Sequence, residues 1–118
     1  MNTHEKINYL EFPAKDLGAT KAFFSQVFGW RFTDYGPAYA AFDHAGIDGG
    51  FYQSDAHAST DNGSVLVVLY SKDLAQTQTK IEAAGGRIVK PVFDFPGGRR
   101  FHFAEPSGNE LAVWSDVG

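Results

Sequence analysis

Two stretches of this sequence, KDLGATKAFFSQVFG at residues 15–29 and KDLAQTQTKIEAAGG at residues 72–86, decide the fold. Both begin with Lys-Asp-Leu, and the two copies are 57 positions apart, from residue 15 to residue 72. In each, an aspartate can accept hydrogen bonds from the free amides of a first helical turn, and glycine follows the last apolar residue. The sequence therefore predicts two helices, capped by Asp16 and Asp73, one in each half of the chain.

Segments typical of β-strands flank each helix in the same order. A strand pattern precedes the helices at residues 7–12 and 65–70, and three further patterns follow each helix. Residues 54–63 are mostly small and polar, which predicts an exposed linker rather than an element. The predicted order is βαβββ, twice. The later strands are placed at residues 30–35, 39–43 and 50–53 in the first half and at residues 87–90, 101–104 and 110–114 in the second.

The duplication also predicts the architecture. A unit this short cannot bury its own apolar face, so two copies should pair around a shared interior. We therefore expect one domain over residues 1–118, with internal repeats at about residues 1–55 and 62–118. The predicted fold class is α+β: two tandem βαβββ modules form an open mixed β-sheet cup around a cavity, with the helices outside.

Composition narrows the kind of partner. The formal charge is −4 and the only basic doublet is Arg99-Arg100, which argues against a nucleic-acid partner. The absence of cysteine excludes disulfides and thiolate chemistry. Residues 1–6 lack the pattern of a signal peptide, and no apolar run is long enough to cross a membrane, so we expect a cytoplasmic protein without a membrane partner. Eleven phenylalanines predict an aromatic core or an aromatic-lined site.

These motifs resemble the vicinal oxygen chelate superfamily, which includes glyoxalase I, extradiol dioxygenases, fosfomycin-resistance enzymes and bleomycin-binding resistance proteins. The resemblance covers nearly the whole chain. It rests on INYLEFP at residues 7–13 with Asp16-Leu17, on AFFSQVFGW at residues 22–30, on Asp73-Leu74 with KIEAAGG at residues 80–86, and on FAEPSGNEL at residues 103–111.

The resemblance implies a place for a divalent metal. Its enzymes hold the ion with His and Glu side chains on the first and last strands of each half. In this sequence the corresponding positions carry Tyr9, Leu66 and Ala112, and the fourth falls near Gly49 or Gly50. None is His, Asp or Glu, the residue types that bind such ions through nitrogen or oxygen. We therefore expect no metal cofactor at the usual place.

Side-chain alternation extends the predicted cavity wall, because residues two apart on a strand share a face. If Tyr9 and Ala112 face inward, then so do Glu11 and Trp114. Such a wall is aromatic with a few polar groups, which suits an organic ligand. The resemblance to the family's Phe-x-Glu-Pro phrase implies that Arg100 and His102 also face inward. The full predicted wall is Tyr9, Glu11, Leu66, Val68, Tyr70, Arg100, His102, Glu110, Ala112 and Trp114.

Three functions fit this pattern. The first is a metal-independent, glyoxalase- or bleomycin-resistance-like homodimer that binds a small organic molecule. The alternative is a lyase- or isomerase-type enzyme of the same fold, in which Glu11 and His102 transfer protons, with or without a metal held by other residues. The third is an interaction subunit whose cavity is vestigial. In the first, the other eight wall residues contact the ligand.

The remaining candidates are predicted to have structural roles. His44 and His57 are expected at the surface, in a turn and in the linker. Trp30 is expected in the core or a dimer contact rather than against a ligand. Residues 96–100, with two glycines, predict a flexible hairpin loop able to cover the cavity.

Overall fold

The computed structural model describes residues 2–117. The described chain has the predicted βαβββ order twice, and a 3-10 helix, Thr60–Asn62, lies between the halves. We call the first half module 1 and the second half module 2. Module 1 comprises β1 (Tyr9–Ala14), α1 (Leu17–Phe28), β2 (Arg31–Asp34), β3 (Tyr39–Asp43) and β4 (Asp48–Gln53), and module 2 comprises β5 (Val67–Tyr70), α2 (Leu74–Ala83), β6 (Arg87–Phe95), β7 (Gly98–Ala104) and β8 (Glu110–Ser115).

The two helices begin and end where the sequence predicts. The Asp16 side chain accepts from the amide of Ala19 at 3.0 Å, and the Asp73 side chain accepts from the amide of Gln76 at 3.1 Å. Gly29 is in the left-handed region, with φ 73°, which ends α1. Neither helix within residues 2–117 has the length and apolarity needed to cross a bilayer.

Each module forms a four-stranded mixed sheet. The strand orders are β1-β4-β3-β2 and β5-β8-β7-β6, so the first and last strands of each module pair in parallel. β1 and β5 are edge strands, and both line the same two grooves, so the sheets meet along these edges. No pairing joins the two sheets within the described residues. The result is an open cup of two sheets, as predicted, and not a closed barrel.

The core lies on the helix-covered face of the sheets, which we call the outer face. Phe23 of α1 packs on Phe103 of β7 with ring centroids 5.9 Å apart, so a helix of one module covers a strand of the other. Trp30 is buried between Phe24 and Phe42, at 4.3 and 4.6 Å, as its predicted core role requires. Each fully buried large apolar side chain contributes about 1.5–3 kcal/mol to the stability of the fold.

A buried carboxylate joins the turn between β7 and β8 to the start of α1. Glu105 accepts from the Thr20 hydroxyl at 2.7 Å and from the Asn109 side-chain amide at 2.6 Å. The same amide donates to the carbonyl of Pro13 at 2.7 Å. Burial raises the pKa of Glu105, although hydrogen bonds from Ser107, Thr20 and Asn109 oppose the shift. These contacts fix the two modules relative to each other.

The structure corrects two predictions. The predicted linker contains the 3-10 helix, which begins at Ser59 with a capping box and ends at Gly63 with φ 81°. The predicted loop at residues 96–100 is a tight turn: β6 extends to Phe95, which pairs with Gly98, so only Pro96 and Gly97 lie between them. Strand pairing satisfies more backbone groups than a loop would, so both strands lengthen.

Candidate functional site

The face of each sheet turned away from the helices, which we call the inner face, carries the predicted site residues in two groups. Strand register shows which side chains are neighbours. In module 2, Tyr70 pairs with Trp114 and Trp114 pairs with Arg100, while Val68 pairs with Ala112 and Ala112 pairs with His102. These residues therefore form two parallel rows across β5, β8 and β7.

On the inner face of module 1, three side chains are connected by hydrogen bonds. The Tyr39 hydroxyl donates to Glu11 at 2.8 Å, and the hydroxyls of Tyr9 and Tyr39 are 2.6 Å apart. Burial and these two neighbours raise the pKa of Tyr39 far above its usual value of 10, so its hydroxyl stays protonated. Tyr9 and Glu11 are exposed, and Tyr39 is half-buried.

Tyr39 also occupies the space in front of Gly50. A side-chain carbon added to Gly50 would lie 2.1 Å from the Tyr39 hydroxyl oxygen and 2.4 Å from its ring carbon. Gly50 pairs with Glu11, whereas Ala112 pairs with Val68 in module 2, so Gly50 and Ala112 are equivalent positions. At the last-strand position of module 1 the inner face therefore presents a phenol, supplied by β3.

The inner face of module 2 is aromatic around one guanidinium. The Trp114 ring is 5.3 Å from Tyr70 and 6.1 Å from Phe95, between ring centroids. Arg100 lies 5.2 Å from the ring centre of Phe93 and 5.7 Å from that of Phe95, within the range of cation–π attraction. This group has the flat apolar surfaces and the single cation that would bind an aromatic or anionic ligand.

His102 and Glu110 form a buried pair beside this group. The Nδ1 atom of His102 is 2.7 Å from Glu110, and the two residues are 1 % and 4 % exposed. Glu110 also accepts from the amide and the hydroxyl of Thr60, at 2.8 and 3.0 Å, in the 3-10 helix. Burial by itself would raise the pKa of Glu110, but the hydrogen bonds from His102 and Thr60 outweigh it and lower the pKa. The linker thus covers this pair.

Two buried nitrogen atoms near the pair have no hydrogen-bond partner within residues 2–117. They are Nε2 of His102 and Nε of Arg100, which are two residues apart on the same face of β7. The Phe93 ring lies over His102, with centroids 5.9 Å apart. Buried polar atoms without partners are rare because each costs the free energy of its lost hydration.

The structure does not bring the ten predicted wall residues into one contact group. Glu11 hydrogen-bonds to Tyr39 on one sheet and His102 to Glu110 on the other, and no hydrogen bond, ion pair or ring contact links these two groups in the described chain. Leu66 is half-buried and precedes β5 by one residue. The inner faces are open: Tyr9, Val68 and Tyr70 are 42, 42 and 53 % exposed.

Two grooves run along the junction of the two sheets. One, of about 320 Å³, is lined by Leu10, Phe42 and Ile47 of module 1 and by Val68 and Tyr70 of module 2. The other, of about 410 Å³, is lined by Glu11 and Tyr52 together with His57, Val65 and Val67. Both grooves have mainly apolar walls with few polar groups, the composition of ligand sites in general.

Sequence reasoning missed several inner-face residues. Tyr39 lies on β3, for which no inward face was derived, although alternation from Ala41 beside Gly50 would place it there. Phe93 belongs to the part of β6 that was not predicted, where register shifts interrupt simple alternation. Thr60 could be found from Ser59 and Gly63, a start and a stop for one helical turn. His44 and His57 are exposed, as predicted.

The family profile of the Glyoxalase/Bleomycin resistance protein/Dioxygenase superfamily matches residues 6–113, and the chain belongs to that superfamily. Two solved structures illustrate the shared fold. The fosfomycin resistance protein FosX from Listeria monocytogenes superposes with TM-score 0.77 at 18 % identity, covering 96 % of this chain and 94 % of its own. Lactoylglutathione lyase from Agrobacterium tumefaciens superposes with TM-score 0.70 at 19 % identity, covering 97 and 96 %.

The chain is also similar in sequence to part of a longer curated protein. The anthracycline biosynthesis protein DnrV of Streptomyces peucetius is 27 % identical over 124 aligned positions. The alignment covers 90 % of this chain but 45 % of DnrV, so this chain spans less than half of that relative's length.

Proposed function

We propose that this protein is a metal-independent member of its superfamily that binds a small, aromatic organic molecule at its inner faces, as a homodimer in the cytoplasm. The observation that carries the proposal is Tyr39, which places a phenol over Gly50 at a position equivalent to Ala112. At two of the positions where relatives of this fold hold a metal, this chain thus has Gly50, which the Tyr39 ring covers, and Ala112.

The side chains of the chain do not fit a divalent metal at these positions. Such an ion takes at least three nitrogen or oxygen ligands from the protein in the sites typical of zinc. Tyr9 offers a single phenol oxygen, which is hydrogen-bonded to Tyr39, and Leu66 and Ala112 have no donor atoms. Among residues 2–117 no three His, Cys, Asp or Glu side chains come together in a group that could hold one.

The aromatic group of module 2 supports an aromatic ligand. Tyr70 and Trp114 stand edge to face, and Arg100 adds a cation next to Phe93 and Phe95. A flat ring can stack on these surfaces while a polar substituent contacts the guanidinium. The name of DnrV, which refers to anthracycline biosynthesis, agrees with a polycyclic aromatic ligand.

The open inner faces support a homodimer. Tyr9, Val68 and Tyr70 are more exposed than apolar and aromatic side chains in a closed site would be. Alternation also gives the two inner faces opposite charge, so that module 1 of one copy can face module 2 of another. The charged residues are Glu11, Asp43, Asp48 and Arg31 in module 1, and Arg87, Lys90, Arg100 and Glu110 in module 2.

The tryptophans allow a direct test of ligand binding. Trp30 is buried in the core, whereas Trp114 is half-buried on the inner face. Titration with an anthracycline should change tryptophan fluorescence saturably in the wild type and in Trp30→Phe, and the change should vanish in Trp114→Phe. Trp114→Ala should weaken binding roughly three- to tenfold through loss of ring contact. A fluorescence change that survives in Trp114→Phe would contradict the proposed site.

Metal independence is tested on the same protein. The purified chain is incubated with Ni, Zn, Mn and Fe, freed of excess ion and analysed for bound metal. We expect no stoichiometric metal and unchanged anthracycline binding after treatment with a chelator. One tightly held equivalent per chain would overturn the proposal. Light scattering during size-exclusion chromatography then gives the mass, which should be twice that of one chain.

Proton-transfer catalysis is the second candidate, favoured by the unpartnered Nε2 of His102. When Glu110 is ionised, Nδ1 donates to it, and in the neutral ring Nε2 carries the free lone pair of a base. Glu11 lies on the other sheet, so His102 would act without it. On a true substrate His102→Gln should lower turnover by about 10²-fold or more, and His4→Gln, at an exposed position outside both grooves, is the matched surface control. Equal activity of the two variants would remove this candidate.

A further inference from the structure

We infer that Glu11, Tyr39 and Tyr9 form a binding site for the ammonium group of an organic amine, whose apolar part lies in the adjoining groove. The inference rests on the proposed small-molecule function and adds the chemical class of the ligand. It is carried by the directions of the hydrogen bonds in this group and by the place of Glu11 in the 410 Å³ groove.

The hydrogen bonds leave only acceptors available. A tyrosine hydroxyl has one proton, and that of Tyr39 is donated to Oε2 of Glu11. Tyr9 must therefore donate its own proton to Tyr39, and the Tyr9 oxygen keeps only lone pairs. Oε1 of Glu11 has no hydrogen-bond partner among residues 2–117, so this carboxylate oxygen can accept hydrogen bonds from a ligand. A ligand group at this place must donate protons, and a cationic donor gains most.

The surroundings favour a positive charge over a neutral donor. Asp48 is the strand neighbour of Tyr9 on the same face, and it adds a second carboxylate. Arg31, the cation on the strands of this inner face, lies on the far edge strand of the sheet, three strands from β1. Lys6, which precedes β1, lines a separate pocket with Asp48 and does not line the groove of Glu11. The tyrosine rings add the negative faces of two aromatic systems, which attract ammonium groups within about 6 Å.

The groove next to Glu11 fits the rest of an amine. Glu11 is the one carboxylate among its lining residues, and Tyr52, Val65 and Val67 provide apolar walls. Val65 and Tyr52 are 82 and 40 % exposed, so this surface is accessible to a ligand. An amphipathic amine can therefore bury its hydrocarbon part along the groove while its ammonium group contacts the carboxylate.

Three indoles that differ in one substituent test the inference. Tryptamine carries an ammonium group, tryptophol a hydroxyl and indole-3-acetate a carboxylate, and their dissociation constants are measured by NMR titration of the full chain. We expect tryptamine to bind about tenfold more tightly than tryptophol, with indole-3-acetate weakest at this site. Glu11→Gln should remove the preference for tryptamine and leave tryptophol binding within about twofold. Tyr39→Phe should reduce the preference in part, because it removes the donor that orients Glu11.

Asp43→Asn is the matched control, since Asp43 has the same charge on the same face but lies on β3 beside Arg31, outside the hydrogen-bonded group. It should leave the tryptamine preference largely intact. An equal loss in Asp43→Asn and Glu11→Gln would show diffuse electrostatic attraction and overturn the inference, as would equal affinity of the wild type for tryptamine and tryptophol. Failure of tryptamine to bind at millimolar concentration would also overturn it. A Trp114 response to an anthracycline in that same protein would show that the proposed function survives.

Discussion

Modules 1 and 2 have the same arrangement of helix and strands, but their inner faces carry side chains of different chemistry. Both helices are capped by an aspartate, and both modules pair their first and last strands in parallel. Yet module 1 presents an exposed group of tyrosine and carboxylate oxygens, and module 2 presents aromatic rings around Arg100. The repeat therefore preserves the residues that the backbone arrangement requires, whereas side chains that face away from the core are free to diverge.

Carboxylates at matched positions show the divergence most clearly. Counting back two residues from the equivalent Gly50 and Ala112 gives Asp48 and Glu110. Asp48 is exposed, whereas Glu110 is 4 % exposed and hydrogen-bonded to His102. The difference arises because the linker covers the inner face of module 2 at the start of β8.

The largest difference in stability loss between equivalent substitutions in the two modules is expected in the core. Phe51→Ala removes a ring that is fully buried and stacks on Phe12 at 5.2 Å, and it should lower the free energy of unfolding by about 3–5 kcal/mol. The equivalent Val113→Ala should cost only about 2 kcal/mol because fewer atoms are removed. Urea unfolding measures both. Phe51→Leu is the control that retains most of the buried volume. Equal losses of stability in Phe51→Ala and Val113→Ala would contradict this expectation.

A smaller effect is expected at the two last-strand positions. Gly50→Ala forces the Tyr39 ring aside and should cost about 1–2 kcal/mol. In module 2, Ala112→Gly should cost about 1–2 kcal/mol, from backbone entropy and from the loss of a fully buried methyl group. A double-mutant cycle by urea unfolding separates the causes, since Gly50→Ala should be nearly neutral in a Tyr39→Ala background. An undiminished cost in that background would show that Tyr39 is not the obstacle.

The two helix caps should respond alike. Asp16→Ala and Asp73→Ala each remove one side-chain acceptor from a first helical turn, and each should cost about 1 kcal/mol. Asp16→Asn and Asp73→Asn keep a capping oxygen and serve as controls. Thermal unfolding followed by circular dichroism suffices. A large difference between the two caps would argue that the helices contribute unequally to the shared core.

The smallest expected effect is on the pH dependence of stability, and it distinguishes two glutamates of module 2. The raised pKa of Glu105 means that its contribution to stability is full below the ordinary value of 4.5 and is lost as pH rises through the raised value. The lowered pKa of Glu110 means that its contribution is present above 4.5 and is lost as pH falls. Relative to Glu105→Gln, the wild type should therefore lose stability with rising pH, and relative to Glu110→Gln it should gain.

Urea unfolding of the three proteins at several pH values between about 3 and 7 measures these opposite slopes. Asp48→Asn, at the exposed position equivalent to Glu110, is the control from module 1. Slopes of the same sign for Glu105→Gln and Glu110→Gln would contradict the assignment of the two environments.

Periodicity, caps and repetition made the fold predictable from the sequence. The βαβββ order and both caps follow from local rules whose physical basis lies within a few residues. The two-sheet architecture was predicted from the repeat, and the inward direction of Tyr9, Arg100 and Trp114 from the family resemblance extended by alternation. Boundaries shifted where strands gained partners, as in β6, which extends from Arg87 to Phe95. Its register shifts depend on β7, so no local pattern could give them.

The sequence alone determined which side chains are available at the inner faces, because residue identity and alternation along a strand are local properties. Its resemblance to the family predicts that the metal positions carry Tyr9, Leu66 and Ala112. Only the tertiary structure decided which side chains meet. Tyr39 reached Glu11 across two strand pairings, and Thr60 reached Glu110 over 50 residues of chain. Contacts between distant segments depend on how the sheets and the linker pack, and that information is spread over the whole molecule.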